Sequence, residues 1–147
     1  MKKQAYTMIA LLVLVGSMAV AAQAQTVGGR QLIANIPFQF NAGNKTLPAG
    51  EYSVRQVNPD SDCGVLLLSS RDGNASAMIQ VVSVIGKAPE TAKLTFHRYG
   101  NKYFFAQGWI GGDNTGMQAP KSKSERAAES ELAGLQSKTE TVALRAR

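Results

Sequence analysis

Of its 147 residues this chain spends one on cysteine, one on histidine and one on tryptophan. Each shortage excludes something. A lone Cys63 cannot form a disulfide within the chain, so the fold must stand on its core. A lone His97, with no second cysteine, leaves no cluster of zinc-type ligands. Carboxylates alternate at Asp60 and Asp62 beside Cys63, but that loop lacks the ligand spacing of an EF-hand, so no metal and no cofactor are expected. Neither a P-loop nor a dinucleotide-binding glycine pattern is present. No pair of acids is placed for glycosidase chemistry, and no motif sets a serine beside His97. Basic residues exceed acidic ones by six, yet they are scattered, which is not a nucleic-acid footprint.

Long apolar runs are also scarce, and the one that exists is at the start. Met1-Lys2-Lys3 is positive, "MIALLVLVGSMAV" (Met8 to Val20) is apolar, and small residues follow at Ala22 and Ala24. That order is a secretory signal peptide, with cleavage expected after Ala24. The run is short for a membrane span, which needs about 20 residues, and no second run follows. We therefore expect residues 1–24 to be a signal peptide, 25–30 a flexible lead-in, and the exported chain to have no membrane span. Export places it in the periplasm or outside the cell and excludes genomic partners. Removing Lys2 and Lys3 lowers the net charge from +6 to +4.

What is abundant is period-two alternation. Leu32, Ala34, Ile36, Phe38 and Phe40 share one face of an expected strand. Pro37 cannot donate a ladder hydrogen bond, which predicts an edge or a bulge. "NAGNK" (Asn41 to Lys45) and "LPAG" (Leu47 to Gly50) read as turns. Tyr52 and Val54 then resume the alternation. "GVLLLSS" from Gly64 is a continuous apolar run, suited to a strand covered on both faces. Asp72-Gly73 predicts a two-residue hairpin that sets Leu68 against Ala77 and Leu66 against Ile79. Gly100-Asn101 predicts another, with Phe96 facing Phe105, His97 facing Phe104, Arg98 facing Tyr103 and Tyr99 facing Lys102. These signals define an all-β domain over residues 31–111: a small antiparallel barrel or sandwich of six to seven strands.

Residues 112–147 read as linker, helix and polar tail. Ser122 and Glu125 have capping-box spacing, and Ala128, Leu132 and Leu135 form a thin apolar stripe. A C-terminal helix is expected over Ser122 to Leu135. The polar "SKTETVALRAR" reads equally as a last strand or a loose tail.

"IPFQF", "LPAGEYSV", "FHRYGNKYFFAQGW" and "SER" together resemble a group of small exported bacterial β-proteins marked by P-F-x-F, L-P-A-G-x-Y and F-H-R-Y-G. The resemblance runs from Ile36 to about Arg126. It implies an exported β-domain and brings no catalytic residues.

The candidate site is therefore a binding surface on the second hairpin: Arg98, Tyr99, Lys102, Tyr103 and Trp109. Aromatic rings rimmed by cations suit glycans, peptides or amphiphiles; core packing is the stronger explanation of the same rings. The expected function is non-catalytic binding or scaffolding of a cell-envelope component. The alternative is a small β-barrel carrier of an apolar or amphiphilic ligand, with a hydrolase third. A carrier needs an internal cavity. A scaffold has a filled core and an exposed patch.

Overall fold

The computed structural model describes residues 31–61, 63–133 and 138–146. The signal-peptide and lead-in readings, Asp62 and Leu135 lie outside the described residues. Within them the chain forms ten strands and one helix. In order these are β1 (Leu32–Ile36), β2 (Phe40–Ala42), β3 (Lys45–Leu47), β4 (Gly50–Gln56) and β5 (Cys63–Ser70). Next come β6 (Ser76–Ile85), β7 (Lys93–Tyr99), β8 (Lys102–Trp109), β9 (Thr115–Gln118), α1 (Lys123–Glu131) and β10 (Lys138–Ala146). The fold is all-β with a C-terminal helix.

All ten strands belong to one sheet, in the order β3-β2-β8-β7-β10-β1-β4-β5-β6-β9. The four-residue β9 also pairs with β8, so the two flanks of the sheet meet. The sheet curls around a core without closing into a barrel of full-length strands. Between β6 and β8 it has only β9 and the short β2–β3 hairpin, which touches β8 through one parallel bridge, Asn41 to Phe104. Inward residues of β1 to β8 build one cluster, with Ile36, Phe40, Leu47, Tyr52, Leu66, Leu68, Leu94 and Phe96 each buried to within 1 %.

Alternation placed these side chains correctly, and both hairpin registers are as expected. Leu68 faces Ala77 and Leu66 faces Ile79; Phe96 faces Phe105 and Arg98 faces Tyr103. The first turn differs in detail. Ser70 N donates to Ala75 O, so the loop has four residues, 71–74. It is centred on Asp72-Gly73, and a symmetric lengthening leaves the register unchanged. The second turn has two residues, with Gly100 at φ 62°, a backbone that favours glycine.

Four expectations are corrected. β1 is not an edge strand, because it lies between β10 and β4; Pro37 instead ends it, and Phe40 rejoins the same buried face from β2. β5 is not covered on both sides: Leu66 and Leu68 are buried, whereas Val65 and Leu67 are half-exposed. Among the described residues there are ten strands, not six or seven, since β2, β3 and β9 are too short to show a period. And the sheet extends past residue 111, taking in β9 and β10. Pairing of β10 with β7 and β1 makes the polar stretch a strand.

Candidate functional site

The β7–β8 hairpin carries the candidate residues, and alternation sends them to two faces. Phe96 and Phe105 point into the core, meeting edge-to-face with centroids 6.0 Å apart. One step further along that face, Arg98 and Tyr103 reach the end of the core. Tyr103 stacks on Phe38 at 3.9 Å between centroids, and Phe38 in turn meets Phe96 edge-on at 5.1 Å. The Arg98 guanidinium lies 5.4 Å from the Tyr103 ring centre. It also donates to Gly100 O at 2.8 Å and pairs with Glu140 at 3.4 Å. This stack caps the core.

His97, Tyr99 and Phe104 occupy the outer face, beneath α1. The helix starts where the capping box predicts: the Glu125 amide donates to Ser122 Oγ at 3.1 Å. The reciprocal half of the box is replaced. The Glu125 carboxylate, 3 % exposed, turns toward the sheet, where one oxygen lies 2.7 Å from His97 Nδ1 and 3.3 Å from the Tyr99 hydroxyl, which donates to it. Ala128 and Leu132 complete the seat against Tyr99 and Phe104. Burial, and then the neighbouring Glu125 charge, hold the Tyr99 hydroxyl above the usual tyrosine range. Glu125 holds the imidazole through Nδ1 and leaves Nε2 turned away from it, on a ring about one-third exposed. That is an oriented base, but among the described residues no hydroxyl or thiol hydrogen-bonds it. The arrangement fastens the helix.

The remaining candidates are also engaged. Lys102 lies 3.7 Å from Glu131 at the rim of the helix. Trp109 is 9 % exposed, its indole nitrogen donating to Gln107 at 3.0 Å. Its ring rests on bare backbone: a Cβ would come within 2.6 Å of it at Gly86 and 2.7 Å at Gly116. So the structure joins Arg98 to Tyr103 and Lys102 to the helix, while Tyr99 and Trp109 are buried separately.

Two surface depressions are better formed. One, of about 470 Å³, is lined by Leu47–Tyr52 and the turn bearing Arg71, Asp72 and Asn74. The L-P-A-G-x-Y motif finds its explanation here, since the buried Tyr52 hydroxyl donates to Pro48 O at 2.6 Å and ties the turn down. The other, of about 410 Å³, lies between β6 and the start of α1, lined by Met78, Gln80, Pro120, Lys121, Lys123 and Arg126 among others. It borders the outer face of β4–β5–β6. There Leu67 lies opposite Met78, Val65 opposite Gln80, and Cys63 opposite Val82. Met78 is 69 % exposed and Val82 46 %. Sequence reading missed this face because it assumed both sides of β5 were covered. The signal lay in β6, whose outward Met78 and Val82 alternate with buried Ala77, Ile79 and Val81.

No family model matches the chain, and no curated protein or solved structure shows significant similarity to it.

Proposed function

We propose that this protein is an exported, non-catalytic domain that binds or scaffolds a component of the bacterial cell envelope, through the outer face of β4–β5–β6. The observation that carries this reading is the contrast between a filled interior and apolar side chains left outside. A carrier of apolar ligands would need room where Phe40, Tyr52, Phe96 and Phe105 meet, and those rings are buried against one another or their neighbours. Met78 and Val82, by contrast, stand in solvent next to half-exposed Val65 and Leu67. Exposed apolar groups gathered on one face mark interaction surfaces. The leader-like N-terminus supports export, and the hairpin aromatics support a structural role, because their contacts lie within the chain.

The test is site-specific photo-crosslinking in intact cells. A crosslinker at Met78 should trap an envelope component, and one at Asn101, on the β7–β8 turn, should not. Fractionation should recover the chain outside the cytoplasm, beginning at Gln25. A cytoplasmic protein that still starts at Met1, or equal silence from both crosslinkers, overturns the reading.

A further inference from the structure

The chemistry of the same face narrows its partner. Across three strands run the rows Arg55–Leu67–Met78, Val57–Val65–Gln80 and Cys63–Val82. The band contains five aliphatic or thioether side chains besides Leu67's neighbour Arg55: Val57, Val65, Leu67, Met78 and Val82. It contains no carboxylate. Two of its borders are positive, while the turn joining Val57 to Cys63 carries the exposed Asp60. Arg55 is exposed on one side. On the other, Met78 shares a groove with Lys121, Lys123 and Arg126. Lys121 is neutralised by Glu129 at 2.7 Å, but among the described residues no carboxylate pairs with Lys123 or Arg126.

Size separates the possible occupants. Strand spacing and rise give the band a footprint of about 10 Å by 14 Å. A stable protein interface needs about 800 Å² per partner, several times more. A membrane surface demands less. Shallow insertion of a few apolar groups, with cations on the headgroup phosphates, is how proteins seat reversibly on anionic lipid. We infer that this face docks on an anionic phospholipid surface, with Leu67, Met78 and Val82 entering the acyl boundary and Arg55, Lys123 and Arg126 on the phosphates. This rests on the proposed envelope role and names the partner.

The test uses the chain from Gln25, which holds every described strand and the helix, and which lacks the apolar leader that would bind lipid by itself. It is sedimented with vesicles of phosphatidylcholine containing phosphatidylglycerol, and with phosphatidylcholine alone. Binding is expected to the anionic vesicles only, and to fall as salt is raised. Each cation at the surface contributes about fivefold, so Lys123→Glu with Arg126→Glu should weaken binding at least tenfold by that estimate. Met78→Asp should abolish it. Both variants alter exposed side chains, and an unchanged melting temperature verifies their fold. An environment-sensitive dye on Cys63, which lies in the band, should shift to the blue on binding. Failure to bind phosphatidylglycerol, equal binding to phosphatidylcholine, or unaltered binding by both variants overturns the inference. If Met78 in cells traps one envelope protein while vesicles bind nothing, the lipid assignment fails and the envelope role stands. Vesicle binding by a chain that fractionates with the cytoplasm overturns the envelope role, and with it the inference that rests on it.

Discussion

Phe96 and Phe105 on one face of the β7–β8 hairpin, and Tyr99 and Phe104 on the other, are all at most 3 % exposed, yet they are buried by different means. The first pair sits among side chains from eight strands, where alternation alone delivers each residue. The second pair is covered by a nine-residue helix with little apolar surface of its own, for which Ala128 and Leu132 are the apolar contacts. A helix so short is marginal by itself. What docks it is polar: one buried carboxylate between an imidazole and a phenol. The inner cluster should therefore fail globally and the outer one locally.

The largest effect should come from Phe96→Ala, which opens a cavity in the inner cluster. A loss of about 3–5 kcal/mol is expected, read as a fall in the urea midpoint that affects strand and helix signals together. Loss of helix signal alone would reverse the comparison. Glu125→Ala should rank next. It removes the shared acceptor and leaves Tyr99 and His97 unsatisfied, at a cost of about 2 kcal/mol. Hydrogen exchange is the sharper measurement: amides of α1, such as Arg126 bonded to Ser122 O, should lose protection while those between β7 and β8 keep theirs. Equal loss in both would mean that helix and core form one cooperative unit.

His97→Gln should cost less than about 1.5 kcal/mol. Glutamine retains a donor for Glu125, and the imidazole it replaces is partly exposed. Binding to the partner of the β5–β6 face should be unchanged; a hundredfold loss with normal folding would make His97 functional. The smallest effect is a difference in alkaline melting. Tyr52, in the inner cluster, and Tyr99, in the outer, both have hydroxyls raised above the ordinary tyrosine value, chiefly by burial. A raised pKa in the fold stabilises the protein fully below the unfolded value of about 10, and that contribution is lost as pH rises through the folded value. Tyr99→Phe should therefore flatten the fall of melting temperature above that point, measured from a neutral baseline lowered by loss of the bond to Glu125. An identical alkaline slope in the variant would show that Tyr99 does not titrate with unfolding.

Much of the inner cluster is legible in the sequence, and the outer one is only half so. Asp72-Gly73 and Gly100-Asn101 specify local turns, and from each turn the register of a whole hairpin follows. Ser122 with Glu125 likewise announces the start of the helix. Nothing local tells where the Glu125 side chain goes, because its partners are 26 and 28 residues away. β10 was unreadable for another reason. Of its residues 138–143, only Val142 packs against the core. The strand is held by backbone pairing on both sides, which leaves little apolar period to detect. β9 hides similarly: Gly116 is there because the Trp109 ring occupies the space of a side chain.

The place of β10 has a consequence for how the molecule is made. The strand latest in sequence inserts between β7 and β1, and Leu32, at the beginning of the sheet, pairs with Ala146 near its end. A growing chain that has completed nine strands still has an open seam along β1 and β7, with unpaired backbone groups on each. Pairings that span more than a hundred residues form slowly, because the loop must close before contacts reward it. The seam can therefore close only once β10 has been made, so the pairings of Leu32 with Ala146 and of Lys93 with Ala143 are among the last that the chain can form.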